Sequence, residues 1–469
     1  MMRRLAVVVA VTTVAVVVVG AAGSATRPSG WLRFGYDAAR TNSRPETTGI
    51  TAANVAKLRR RQFAIDGTVD SSPLLVSGAV IRGHARDAIV FTTTYGKTEA
   101  IDVMSGAVLW RFVPPNYGSV AETAQITTMT PLIDPEVGAV YAGASDGRIR
   151  RLSLADGHVE WTTSITRDPT KEKLASALNM AGGLILAATD GYIGDAPSYQ
   201  GHVVSLNAAT GKIVAVWNSL CSERHALQQP VTCPESGSAI WGRSAPVVDP
   251  TTGHLLVATG NGVFDGKRYW GDSLLVLSAN ASTLLAHWTP ADQSRLNDAD
   301  LDVGSTAPAL LDGGFAVQGG KDGELRLLNL AKLPGVNSRL GGEVQTVDLP
   351  GRADLFSVPA VWQGRYVFVA NANGTQAWLL TNSNRLSLAW NNANAGTSPV
   401  VAGGLVYVQA DAGIRVYEAT TGTQLAVLPI GDTHWQTPVI VGGRVIAAED
   451  NANTHSLTGT IDVFALAGR

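Results

Sequence analysis

The chain is poor in the residues that announce most functions. Only two of its 469 residues are cysteine, charged residues make up 16%, aromatic residues 6%, and the formal net charge is −2. So mild a balance excludes a basic face that grips nucleic acid or anionic lipid. There is no CxxCH, so no c-type haem is attached to this sequence, and no CxxC or clustered histidine that would mark a zinc site. A strand-to-helix GxSxG elbow, HExxH and a phosphate-cradling glycine loop are likewise missing, which removes support for hydrolase and nucleotide-dependent readings.

What is abundant is apolar residue and turn. Hydrophobic residues reach 45%, with 50 glycines and 21 prolines. That is ample for a large core interrupted by many turns, and disorder is excluded as the main state. The longest apolar run is N-terminal. Two arginines within residues 1–4, the apolar stretch 5–19 and small residues as far as Ala25 give the order of a secretory signal peptide, with cleavage expected near Ala25. The run is short for a bilayer span, and no other segment is apolar enough for one. The expected product is one domain over 26–469, secreted or held in the periplasm or cell envelope. Cys221 and Cys233 bracket the polar stretch CSERHALQQPVTC, and a local structural disulfide is expected in that oxidising compartment.

From about residue 70 a pattern recurs eight times. A Ser/Thr-Pro start leads an apolar strand, a Gly-Gly turn, a second apolar strand, a polar glycine turn, an alternating strand, a Thr-Gly turn and a fourth strand. The clearest copy is TSPVVAGGLVYVQADAGIRVYEATTGTQLAVL from Thr397. Proline at a strand's first residue costs no ladder bond, and Pro73, Pro131, Pro246, Pro308, Pro359, Pro399 and Pro438 all occupy that place. Four strands per repeat, arranged radially, predict an all-β fold: an eight-bladed β-propeller of four-stranded antiparallel blades. The last copy has room for three strands, and LRRRQFAI at 58–65 supplies a lone strand, so the N-terminal strand is expected to close the eighth blade. Loops entering the innermost strands open on the same face as those joining the second and third strands. Three of these are expanded, at 190–201, 260–270 and 292–304, and expanded loops on a regular scaffold are the usual seat of function.

These residues carry a resemblance. The repeat resembles the pyrroloquinoline quinone (PQQ) repeat, and SAIWGRSAPVVDPTTGHLLVATGNG, DADLDVGSTAPALL and GGKDGELRLLNL occur in the order and approximate spacing found in quinoprotein alcohol dehydrogenases. The resemblance implies that Trp241 is the floor on which the quinone stacks and that Lys321 hydrogen-bonds it. It implies Asp300 as the catalytic base, and Asn261, Asp300 and Asp302 as metal ligands. Where that family has a third-blade glutamate, this chain reads GYIGDAPSYQGHVVSLN, with Asp195 as the shorter substitute. The implied cofactors are PQQ with Ca²⁺ or a lanthanide, the substrate an alcohol or polyol, and the electron acceptor a separate protein. The adjacent-cysteine disulfide of many such dehydrogenases is absent. The alternative is a non-catalytic propeller of the same repeat family, serving as an extracellular or cell-envelope protein-binding scaffold.

The chemistry suits these residue types. An electron-poor ring gains from stacking on indole, a polycarboxylate needs cationic donors, and a hard cation wants amide and carboxylate oxygens. A carboxylate beside a quinone carbonyl can take an alcohol proton as hydride leaves.

Overall fold

The computed structural model describes residues 29–467, so the segment read as a signal peptide lies outside the described residues. The eight blades are present, each built on four antiparallel strands that run in sequence order from the axis outward in the first seven. The first comprises Leu74–Ile81, His84–Thr92, Thr98–Asp102 and Val108–Phe112. The inner strands of seven blades begin immediately after the repeat prolines, at Leu74, Leu132, Val247, Ala309, Ala360, Val400 and Val439. Closure follows expectation. Arg59–Ile65 pairs antiparallel with Gly459–Ala465, so the N-terminal strand becomes the outer strand of the eighth blade.

Adjacent blades are fastened by tryptophans of the outermost strands. Trp110, Trp161 and Trp390 donate their indole N–H to carbonyls of the next blade, on Leu154, Ala208 and Ala419, at 2.8, 3.1 and 2.9 Å. Each indole lies flat against the glycine of the neighbouring Thr-Gly or Asp-Gly turn. A β-carbon at Gly157, Gly211 or Gly422 would come within 2.6 Å of a tryptophan ring atom. These glycines also have φ near +70° to +77°, so the turn chemistry and the inter-blade packing demand the same residue. That double requirement explains why the Thr-Gly signal recurs with each copy.

The segment 29–44, which has no counterpart in the repeat, runs across the axis. Ser29–Trp31 adds an antiparallel strand inside the first blade and Ser43–Arg44 a parallel one inside the seventh. Between them, backbone hydrogen bonds reach Ile133, Val248 and Val361 on the inner strands of blades two, four and six. The sheets of blades one and seven thereby gain a fifth strand. The backbone groups that inner strands would otherwise leave unpaired are satisfied in this way.

The expected disulfide is formed between Cys221 and Cys233, twelve residues apart, packed against Leu220 and Tyr269. Among the described residues no helix is long and apolar enough to cross a membrane.

Candidate functional site

The loops that enter the inner strands and those that join second to third strands meet at one end of the axis. Trp241 precedes the inner strand Val247–Val248 of blade four, and Asn261 follows its second strand, Leu255–Ala258. Asp300 and Asp302 lie between the short helix Gln293–Asp298 and the inner strand Ala309–Leu311 of blade five. Lys321 occupies the turn between Phe315–Gln318 and Glu324–Asn329. Gln318 is buried beneath it and donates to the carbonyls of Val303 at 2.9 Å and Gly319 at 2.9 Å, tying the turn to the Asp302 loop.

Four of the expected residues are in direct contact. Lys321 Nζ bridges Asp302 Oδ2 at 2.7 Å and Asp300 Oδ1 at 2.9 Å, and stands 5.4 Å from the centroid of the Trp241 ring. The backbone N–H of Asn261 donates to Asp302 Oδ1. Gly260 makes this approach possible: a β-carbon there would lie 2.7 Å from Asp302 Oδ1 and 3.2 Å from Trp241 Nε1. Burial lowers the Lys321 ammonium's affinity for its proton, but the Asp302 and Asp300 carboxylates outweigh that and hold its pKa above the ordinary value. Burial raises Asp302, with Lys321 and the Asn261 N–H only partly offsetting it. Asp300 is exposed at the mouth.

Asp195 is elsewhere. It sits on the exposed tip of the 190–201 loop and accepts from Tyr199 Oη at 2.8 Å. The buried carboxylate of that blade is Asp190, paired across a two-residue ladder with Lys173. Burial pushes Asp190 up to about 7, Lys173 draws it down, and the charges of Asp195 and Asp302 add to the rise. Asp272, buried behind Asp302 and bonded by the Val303 N–H at 3.2 Å, is raised by burial and by Asp302.

Two further groups complete the mouth, and neither is part of the repeat signal. Phe356 and Trp435 stack at 5.0 Å and 16°, and both face Trp241, at 6.0 and 6.1 Å with tilts of 39° and 40°. The three half-buried rings form a wedge-shaped aromatic cleft. Behind Trp435, His434 stacks on it at 4.0 Å, and its Nδ1 meets Asp70 Oδ2 at 2.6 Å. Arg243 holds the other oxygen of Asp70 at 2.9 Å. Burial would raise Asp70, but Arg243 and His434 keep it below the carboxylate range. His434, Trp435 and Phe356 also line a cavity of about 520 Å³ between blades six, seven and eight. Position alone carried a hint of His434 and Trp435, which enter a blade on the loop-bearing face. Asp70, Arg243 and Phe356 are single residues on separate blades, with nothing local to distinguish them.

The string Gly143-Ala144-Ser145-Asp146-Gly147 spells a hydrolase motif but turns the hairpin between Ala139–Ala144 and Arg148–Ser153. It is no strand-to-helix elbow.

The donor set suits a planar, acidic ligand: exposed indole and phenyl faces beside a cation. It is not assembled for a metal. Lys321 occupies the place between Asp300 and Asp302, and among the described residues no three His, Cys, Asp or Glu side chains converge on a cation position.

Residues 48–229 match the PQQ_2 family model, described as outer membrane protein assembly factor BamB. The dehydrogenase subunit of alcohol dehydrogenase (quinone) from Acetobacter aceti is 25% identical over 305 residues, covering 57% of this chain and 39% of that protein. A polyvinylalcohol dehydrogenase from a Pseudomonas species is 22% identical over 258 residues, covering 52% of this chain and 38% of that protein. The aligned regions span about two fifths of the length of these curated relatives. The crystal structure of quinohemoprotein alcohol dehydrogenase from Comamonas testosteroni superposes with a TM-score of 0.71 at 16% identity, covering 96% of this chain and 82% of that one. At that identity the likeness is one of fold. Family model, relatives and fold thus agree with the PQQ-repeat resemblance of the sequence.

Proposed function

We propose that this chain is an exported quinoprotein-like oxidoreductase that takes PQQ in the aromatic cleft and oxidises an alcohol or polyol, passing electrons to a separate acceptor protein. The observation that carries the reading is Lys321, clamped by Asp300 and Asp302 beside the ring of Trp241. Trp241 offers the stacking face, and Lys321 offers the cationic donor for a quinone oxygen or carboxylate. PQQ, when bound, supplies the electrophile that accepts hydride from the alcohol carbon.

The chain's own groups handle the proton. Asp300 is the exposed carboxylate at the cleft mouth, held by Lys321 Nζ, and it is the group that accepts the alcohol hydroxyl proton. Asp302, one bond away on the same ammonium, fixes the position of Lys321. Phe356 and Trp435 close the opposite wall. A ring sandwiched between parallel faces needs about 7 Å, two carbon contacts of about 3.5 Å. The tilted rings stand 6.0 and 6.1 Å from Trp241, so the Phe356–Trp435 pair must yield slightly to admit one.

Ca²⁺ or a lanthanide would draw on Asn261, Asp300 and Asp302, with Asp195 on the exposed loop or the buried Asp190 as the third-blade carboxylate. With Lys321 between the two carboxylates, no step is assigned to a metal. A protein-binding scaffold would leave the ammonium, its paired carboxylates and the exposed indole without a role.

The test is titration of the purified chain with PQQ, with and without Ca²⁺ or La³⁺, followed by quinone absorbance and thermal unfolding. Saturable binding that raises Tm and is lost in Trp241→Ala, with Asp300→Ala retaining binding but losing dye-linked alcohol oxidation, is the expected result. No binding under any metal condition leaves the scaffold reading in its place.

A further inference from the structure

The segment that crosses the axis carries a charge the rest of the fold does not answer. Arg40 is 1% exposed, and its terminal nitrogens donate only to backbone carbonyls, those of Phe34, Ala177 and Leu178, the last at 2.8 Å. Among the described residues no carboxylate pairs with it. The acid that bears on it electrostatically is Asp37, whose oxygens are committed to the Thr41 N–H at 3.1 Å and the Thr41 hydroxyl at 2.7 Å. A second guanidinium, Arg33, adds repulsion and is itself held by Asn179 and the Met180 carbonyl.

Beside Arg40 lies a second unanswered group. Asn42 is fully buried, and both atoms of its side-chain amide, like Arg40 Nε, lack a hydrogen-bond partner. The two side chains meet over Gly35, where a β-carbon would lie 3.2 Å from Arg40 Cδ and 3.2 Å from Asn42 Oδ1. Gly35, Tyr36, Arg40 and Asn42 all have positive φ, so the segment is tightly coiled to bring them together. A desolvated guanidinium with only neutral acceptors is strongly unfavourable, and so is a buried amide with none. One small anion would accept from both unpartnered donors, Arg40 Nε–H and the Asn42 amide N–H.

We propose that Arg40 and Asn42 hold a monovalent anion of halide size on the propeller axis, with Arg40 Nε–H and the Asn42 amide N–H as its donors. The site is distinct from the aromatic cleft and independent of the quinone reading. Because segment 29–44 bonds to the inner strands around it, the anion is enclosed as the propeller closes and released when it opens, so its free concentration sets the unfolding equilibrium.

The test compares thermal unfolding of the purified chain in sodium bromide, chloride and gluconate at equal ionic strength. The expected result is a Tm that rises with halide but not with gluconate, by about 1–2 °C per tenfold above half-saturation. Asn42→Ala shrinks the dependence and Arg40→Met removes it. Crystals grown in bromide should show an anomalous peak beside Arg40 Nε, a readout that needs no variant should Arg40→Met fail to fold. A Tm indifferent to halide, or bromide peaks only at the surface, overturns the proposal and leaves ordered water between the two side chains.

Discussion

Arg60 and Asp462, 402 positions apart, meet at 2.7 Å across the seam where the first outer strand joins the last blade. Glu449 takes the same guanidinium at 2.5 Å. Burial, with Glu449 close by and Arg60 only partly compensating, pushes the Asp462 carboxyl up to about 7. The folded seam therefore keeps a proton that the unfolded chain gives up near pH 4. Stability is fullest below that pH and falls as pH climbs from about 4 to about 7. Urea midpoints measured across this range should decline in the wild type and flatten in Asp462→Asn; equal slopes would refute the assignment.

Among the described residues Lys321 is the only cation bonded to Asp302, which is buried. Lys321→Met leaves that carboxylate desolvated and unpaired, at a cost of about 3 kcal/mol, while Lys321→Arg retains most of the stability. Chemical denaturation of the two variants checks this without any ligand.

The indole of Trp390 both donates to Ala419 and covers Gly422. Trp390→Ala should destabilise by about 3–5 kcal/mol through the cavity it leaves between blades six and seven. Gly422→Ala should also be damaging, since a single methyl group meets the ring and a left-handed backbone at once. Fluorescence-monitored unfolding measures the Gly422 variant, and circular dichroism the tryptophan variant.

Reducing the Cys221–Cys233 bridge frees a short loop. On chain-entropy grounds the double serine variant should lose about 3 kcal/mol, with the aromatic cleft unaffected. Calorimetry with and without reductant would show it, and an unchanged Tm would assign the bridge no part in stability.

The blades were legible because each copy repeats the same physical demands. The seven prolines locate inner strands to the residue, and the lone strand 58–65 closes the ring as the count of strands in the last copy requires. Trp241, Asn261, Asp300, Asp302 and Lys321 were legible as a set because a resemblance tied them together, and the fold gathers them around Lys321 and Asp302. The burial of Asp190, five residues before the exposed Asp195 on the same loop, was not legible. Only the ladder to Lys173 shows which carboxylate is inward. The union of Asp70, Arg243 and His434 spans blades one, four and eight, and no local pattern encodes such a meeting. Segment 29–44 escaped for the same reason: its hydrogen bonds go to inner strands of five different blades, from Leu75 to Ala402, so it has no period of its own.

That segment also decides traffic. A ring of blades would otherwise be a tunnel, with separate ways in and out. With 29–44 bonded to the inner strands of blades one, two, four, six and seven, chain lies across that tunnel, and the cleft of Trp241, Phe356 and Trp435 stays with the loops at its mouth. A ligand of the cleft would then come and go on that side of the ring.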